Sequence, residues 1–363
     1  MKILHYVDEN MLSWSRPWLQ LLEEIGKKEG VEQAILCRPG DTLKRRAEKA
    51  GFKVFAYKPA TAWCPPLCRG FKEILEDFEP DIIHTRLSTA SAIAGYWAKK
   101  AKIPVVSTVD KYPKGKYYVN SSLLVAPSQA VARHMKDQGF SDEKIVVIAN
   151  PIRVADYAPK EEERIQIRSA EGVDENTLVL LAMGRFVAWK GFDLLIEAAA
   201  SLKTEKPFCL WIVGDGPMKE ELLQEAKKHF AEKKPDKVRF FPFTDDVKPY
   251  LWAADLFVQP SFYVPGSGGP EGFSLALVEA LAAGLPAVAF DCGGAPDIIK
   301  EGINGWLAEP GNINSLTSAL QRALNHLPND KMKLQAIKEA TKLDVSCIAT
   351  LYLEVYQSFI SPK

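Results

Sequence analysis

Short apolar runs rich in β-branched residues recur along this chain, and the stretches between them carry apolar residues at helical spacing. In the first half the runs are KILHYV (2–7), EQAILC (32–37), FKVFAY (52–57), DIIHTR (81–86), IPVVSTV (103–109), SLLVAP (122–127) and KIVVIA (144–149). Segments between them, such as WLQLLEEIGKK and ASAIAGYWAKKA, read as helices. Apolar strands alternating with helices predict a parallel sheet covered on both faces. The polar stretch DYAPKEEERIQIRSAEGVDEN (156–176) breaks the rhythm and reads as a linker with a surface helix. The alternation then restarts with LVLLAMG (178–184), FCLWIVG (208–214), KVRFFPF (237–243), DLFVQP (255–260) and PAVAF (286–290). The pattern therefore predicts two Rossmann-like, doubly wound α/β domains in series, residues 1–157 and 158–345. The tail 346–363, with SCIATLYLEVYQSFI, is a final amphipathic helix able to pack on either half, the first domain included.

In open α/β sheets ligands bind outside the carboxyl ends of the strands. Two such domains facing each other would make a cleft, so the chemistry is sought in the loops that follow strands. Composition narrows the classes. A chain of 363 residues has room for two ordinary domains, and 47% hydrophobic with 25% charged residues is the balance of a soluble globular protein. Lys+Arg and Asp+Glu both number 46, which argues against a nucleic-acid binder working through bulk positive charge. Asp8 and Glu9 stand where a signal peptide would need its apolar stretch, and no window approaches the ~18 uninterrupted apolar residues of a membrane span. A cytoplasmic protein is expected, with peripheral contact to the inner membrane face left open. Six cysteines, at 37, 64, 68, 209, 292 and 347, are scattered, and Cys64 and Cys68 have no second pair at zinc spacing. Reduced thiols and no metal are expected.

Three strand-end loops carry candidate chemistry. In LVLLAMGRFVAWKGFDLLIEAAA (178–200), Gly184 and Gly191 permit close backbone approach, and Arg185 and Lys190 bring two cations to a helix start. That combination suits a diphosphate; the alternative is two solvated surface cations. WIVGDGPMKEELLQEAKK (211–228) has Lys219 where a dinucleotide fingerprint needs its third glycine, so a tight turn is the simpler reading. GSGGPEGFSLALVEALAAG (266–284) holds two acids, Glu271 and Glu279, eight positions apart. Within one helix such positions are rotated by about 80°, so the acids would not share a face. The spacing instead predicts Glu271 in the loop, a helix starting near Phe273 or Ser274, and Gly284 just past its end. Glu279, inside the helix, then offers two acceptor oxygens to adjacent hydroxyls such as those of a ribose; the alternative is a paired buried carboxylate. DCGGAPDII (291–299) is a further strand-end glycine loop.

Taken in order, GRFVAWKGFDLLIEA, IVGDGP, VRFFPFTDDV, ADLFVQPS, EGFSLALVEALAAGLPAVAFDCGGAPDII and GINGWLAEP resemble the retaining nucleotide-sugar glycosyltransferases of the GT-B fold, in their group 1 family, across residues 183–310. The resemblance implies a hexosyltransferase that uses a nucleotide-diphosphate sugar without a metal, in lipopolysaccharide or other cell-surface polysaccharide synthesis. It implies that Gly184, Arg185 and Lys190 hold the diphosphate and that the amides of Gly272, Phe273 and Ser274 meet the phosphates. Glu279 would bind the ribose, Glu271 a hydroxyl of the donor sugar, and Phe243 and Thr244 would border the base. The acceptor would be a saccharide or a lipid-linked glycan.

The first half matches that family more loosely, through DIIHTRLSTASAIAGYWAKKAKIPVVSTVD, LLVAPSQAVARHM and VIANPIRVADY. Where the family usually has a Gly-Gly loop, this chain has DENMLSWSRPW (8–18), and where the family often has histidine it has Asp110. Asp110 is therefore a catalytic candidate beside Glu271, with an ion pair to Lys111 or Arg86 as the alternative. Ser15, Arg16 and Lys111 are the acceptor-side candidates. DKYPKGKYYVN (110–120), with three lysines and three tyrosines, suits an anionic lipid-linked acceptor, a membrane surface or a merely solvated loop. Two other classes use some of these features. A glycoside hydrolase wants paired carboxylates but has no use for Arg185 and Lys190 beside them. A sugar-nucleotide sensor would bind the donor and transfer nothing.

Overall fold

The chain is described here from a computed structural model that covers every residue except 11–14, 41, 231–236, 267–269 and 361–363. Part of the 8–18 segment and positions 267–269 of the glycine-rich loop therefore lie outside the described residues. The chain divides into two compact units, Met1–Arg153 with Leu343–Lys363, and Val154–Lys342. The crossings fall a few residues before the expected 157/158 and 345/346 boundaries.

The first unit is built on β1 (Lys2–Val7), β2 (Glu32–Cys37), β3 (Lys53–Ala56), β4 (Ile82–Arg86), β5 (Val105–Thr108), β6 (Leu123–Ala126) and β7 (Ile145–Val147). They form one sheet in the order β3-β2-β1-β4-β5-β6-β7, with every neighbouring pair parallel. Strand side chains alternate between faces, and the core divides accordingly. Ile3, Val7, Ile35 and Cys37 pack with Leu22, Ile348 and Tyr352 on one face, while Leu4, Tyr6, Ala34 and Leu36 pack with Phe71 and Ile93 on the other. The last helix, Val345–Ile360, thus lies on the first unit, against the helix Ser15–Gly26.

His5 sits on the same face as Ile3 and Val7. It and His84 are buried under the last helix, where the His84 ring bonds Thr108 at 2.8 Å and Tyr356 at 2.6 Å, and His5 bonds Gln33 at 2.9 Å. Burial drives the His5 pKa down to about 4, against a smaller opposite effect of Gln33, and drives His84 well below its ordinary value with help from the charges of His5 and Arg86. Both rings are therefore neutral in the fold. A base whose folded pKa is depressed gives full stability above its unfolded value, near 6.5, and loses it as pH falls towards the folded value. Thermal unfolding should show the first unit weakening from about pH 6.5 down to pH 4, by on the order of 3 kcal/mol for His5. His5→Gln should flatten that slope; an unchanged slope would assign the acid sensitivity elsewhere.

The second unit holds β8 (Leu178–Met183), β9 (Phe208–Val213), β10 (Val238–Phe241), β11 (Leu256–Gln259), β12 (Ala287–Phe290) and β13 (Gly305–Ala308), in the order β10-β9-β8-β11-β12-β13. All pairings are parallel, and every residue of β8 and β9 is buried, which is why those strands read as unbroken apolar runs. β13 is not among the sequence-predicted strands, because its four residues begin with Gly305 directly after a turn.

The polar stretch after the crossing folds as a short turn, Val154–Tyr157, and a helix, Glu161–Ala170. That helix is more than a surface element. Arg168 is 4% exposed, and it and Arg164 converge on the buried Asp255 at 3.0 and 2.7 Å. Asp255 also accepts from the Val179 amide at 2.8 Å, fixing the helix to the start of β8.

Candidate functional site

The order of the second sheet reverses between β8 and β11, and in such sheets the crevice at that switch point takes the ligand. The candidate residues fall there. Beyond β8 the chain turns through Gly184 and Arg185 into a single helical turn, Ala188–Lys190, and then the helix Phe192–Ala200. Beyond β11 it runs through Ser261 to Glu271 and the helix Leu275–Ala282.

Sequence dictates the ends of that second helix. Ser274 is its N-cap, accepting from the Leu277 amide at 3.3 Å, and Glu271 precedes it in the loop, as the spacing predicts. Gly284 follows the C-cap with φ +79°, and the amides of Gly284 and Leu285 return to the carbonyls of Leu281 and Ala280. This paired closure requires a left-handed residue, which glycine adopts without strain.

A continuous polar chain crosses the switch point. Lys190, 8% exposed, pairs with one Glu271 oxygen. The other Glu271 oxygen accepts from the Gln259 amide at 2.6 Å, and Ser274 donates its hydroxyl to the Gln259 carbonyl oxygen. Cation, acid, amide and helix cap are thereby locked together. Gln259 was not singled out by sequence reasoning; the available signal was a polar residue at the carboxyl end of the apolar run LFVQ. Gln259, Ser261, Glu271, Ser274, Phe290, Cys292, Gly294 and Ala295 line a small cavity at this point. The Cys292 thiol is pushed up to about 12, chiefly by burial and further by the charges of Asp291 and Glu271, so it stays protonated. The glycines of the loop after β12 have a steric role. A Cβ on Gly293, whose φ is +59°, would stand 2.2 Å from the Glu271 carbonyl oxygen, and the Gly294 amide donates to that oxygen at 3.2 Å.

The remaining donor-side candidates surround this chain without joining it. Arg185 is exposed. Gly184, φ +149°, lies against the Lys190 side chain. Gly272 is buried and Phe273 half-buried at the helix entrance. Phe243 is 69% exposed beyond the edge strand β10, and the neighbouring Thr244 hydroxyl accepts from the Asp246 amide at 3.1 Å. Glu279 is half-buried, and one of its oxygens accepts from the Tyr157 hydroxyl at 2.8 Å.

The first unit brings its candidates together less well. Asp110, at the end of β5, grips the buried Arg86 at the end of β4 through both carboxylate oxygens, and Arg86 also donates to Asn150 at 3.0 Å. Of the two readings of Asp110, the structure realises the ion pair, and the partner is Arg86 rather than Lys111. Ser15 corrects an expectation: it is 1% exposed and accepts from Arg46 at 2.9 Å, so it is held inside the fold and not presented to an acceptor. Arg16 and Lys111 are exposed. Among the described residues no three His, Cys, Asp or Glu side chains gather as a metal site, and Cys68 donates its thiol to the Thr61 carbonyl at 3.3 Å. No described helix is long and apolar enough to cross a membrane.

Family models agree with this geometry. The model for glycosyl transferases group 1 matches residues 163–343, and that for glycosyltransferase family 4 matches residues 18–156. The chain belongs to the group 1 glycosyl transferases. Among its relatives, the lipopolysaccharide core biosynthesis glycosyltransferase LpsD of Rhizobium meliloti (strain 1021) is 26% identical over 370 residues, all of both chains. LpsE of the same organism, also a lipopolysaccharide core biosynthesis glycosyltransferase, is 26% identical over 89% of this chain and 88% of its own. The solved structure of Anabaena Alr3699/HepE in complex with UDP superposes with a TM-score of 0.84 at 22% identity, covering 99% of this chain and all of that one. The glycosyltransferase described here therefore has the GT-B fold, two parallel-sheet α/β units.

Because both Asp110 oxygens serve Arg86, Asp110→Asn should cost stability before it costs chemistry. The amide keeps one acceptor and opposes an N–H to a buried guanidinium, a loss of about 1.5–3 kcal/mol for a bond to a charged group. A lowered melting temperature with unchanged nucleotide binding is the expected result. Wild-type stability with a large loss of turnover would return Asp110 to catalysis.

Proposed function

We propose that this glycosyltransferase moves a hexose from a nucleotide-diphosphate sugar to a saccharide or lipid-linked acceptor with retention, in the assembly of lipopolysaccharide or another cell-surface polysaccharide. The chain from Lys190 through Glu271 and Gln259 to the Ser274-capped helix carries the reading. It brings a buried cation, through its pair with Glu271, and a helix N-terminus to a small cavity, the requirement of a departing diphosphate. Arg185 supplies a second cation. Glu271, held from both sides, presents an acceptor to a donor-sugar hydroxyl, while the Phe243–Thr244 segment borders the base. The names of the relatives LpsD and LpsE support the biosynthetic context.

In the proposed reaction the bond between the anomeric carbon and the diphosphate oxygen breaks, its electron pair leaving with the diphosphate. The acceptor oxygen bonds the anomeric carbon on the same face, and its proton passes to the departing phosphate. Neutralising that leaving group is the largest catalytic effect, and the chain's own residues supply the charge. Transfer from a panel of labelled nucleotide sugars, with the anomeric configuration of the product read by NMR, tests the reading. An inverted product sinks retention, and release of sugar only to water sinks the transferase reading.

Glu279, half-buried on the helix Leu275–Ala282, is proposed to read the ribose through its carboxylate. Glu279→Gln should weaken a ribonucleotide by about tenfold, one hydrogen bond to a charged group, and barely change binding of the 2′,3′-dideoxy analogue. Equal losses for the two would make the residue a structural partner of Tyr157 and not a ribose reader.

A further inference from the structure

We propose that the first unit carries an anionic-membrane docking surface, formed where the segment 58–72, the helix Ser88–Ala101 and the segment 111–120 meet. Charge points to it first. In a chain with no net charge, residues 58–72, 87–102 and 111–120 together contain nine Lys or Arg and no Asp or Glu. All nine are exposed. The fold then draws these segments together: Trp97 of the helix donates to the Pro65 carbonyl at 3.0 Å, the Trp63 and Tyr117 rings meet at a tilt with centroids 6.1 Å apart, and Gly95 lets Asn120 approach so closely that a Cβ would lie 2.8 Å away.

Apolar exposure converges on the same place. Trp63, Leu67 and Val119 are 76%, 61% and 60% exposed, the first two from the segment 58–72 and the third from the segment 111–120. Cations flank them on aromatic faces: Lys116 lies 5.1 Å from the Tyr117 ring, and Lys100 lies 4.3 Å from the Tyr96 ring. Exposed tryptophan and aliphatic side chains beside lysines whose stems lie along aromatic rings are what a bilayer interface receives: rings at the headgroup level, ammonium groups at the phosphates. A polyanion lacking an apolar layer would leave Trp63 and Leu67 in water, so the occupant is an anionic lipid surface. The inference is independent of the donor chemistry proposed above.

The test is sedimentation of the full chain, without nucleotide, with vesicles of phosphatidylcholine alone or with about 30% phosphatidylglycerol, in low and high salt. The chain should sediment with the anionic vesicles only, and binding should fall as salt rises. Each lysine at such a surface strengthens partitioning about fivefold, so Lys100→Ala with Lys116→Ala should weaken it about 25-fold. Trp63→Ser should weaken it about tenfold through lost apolar burial. Lys331→Ala, an exposed change in the second unit, should match wild type. No sedimentation, equal binding to neutral vesicles, or unchanged binding in both surface variants would overturn the proposal. The lipid and salt dependence of the unaltered chain stands even where a variant folds poorly, and donor binding measured separately reports on the active site alone.

Discussion

Lys190→Ala is expected to lower turnover by ~10²–10³-fold while leaving nucleoside binding close to wild type, the range for loss of one preorganised group at a developing negative charge. Lys190 is the buried cation of the switch-point loop, and Glu271 already holds it in place. A nucleoside lacks the phosphates that would draw on that charge, whereas a nucleoside diphosphate should lose ten- to a hundredfold in affinity, the equivalent of roughly 1.5–3 kcal/mol. Arg185→Ala should show a smaller effect of the same sign, because Arg185 is exposed and its charge is screened. Calorimetric titration with nucleoside and nucleoside diphosphate separates these outcomes. Parallel losses for both ligands would mean that Lys190 supports the loop rather than the phosphates. Glu271→Gln provides a second control, since it removes the partner of Lys190 but keeps a group able to meet Gln259.

Asp255→Ala should be the most damaging change outside the site. It removes the shared partner of Arg164 and Arg168 and the acceptor of the Val179 amide, leaving Arg168 buried with only backbone carbonyls around it. Breaking a buried pair by removing one member costs about 3–5 kcal/mol, since the remaining charge keeps its desolvation penalty. Replacing Arg168 by methionine in the same background should recover part of that loss. Thermal melts of the two variants check the pair; a single Asp255→Ala variant as stable as wild type would show the network to be incidental.

Strand positions were legible because a parallel sheet buried on both faces leaves short, β-branched apolar runs too brief for a helix: β1 and β2 fall on the runs read from the sequence, residues 2–7 and 32–37. The helix Leu275–Ala282 was legible for a local reason, its cap and its terminating glycine both lying within the stretch itself. What escaped depends on partners far away in sequence. Ser15 is claimed by Arg46, and Glu279 by Tyr157 at a separation of 122, whereas the pair of Asp110 with Arg86 was one of the two readings the sequence offered. No periodicity encodes such pairings. Gln259 escaped differently: one amide ending an apolar strand is unremarkable until Glu271 and Ser274 are seen on either side of it.

The last helix has a consequence for how the molecule is made. Ile152 and Asp344 bridge in parallel within the first unit, and Val345–Ile360 then covers His84 through Tyr352 and Tyr356. The second unit is thus a single uninterrupted length of chain, whereas the first is assembled from both ends of it. Domains fold as they leave the ribosome when their sequence is complete. Here the second unit emerges whole while the first still waits for its closing helix, with part of one face of its sheet uncovered. The domain begun first is finished last, and the nascent chain must shield the apolar area that the last helix will cover throughout the synthesis of its neighbour.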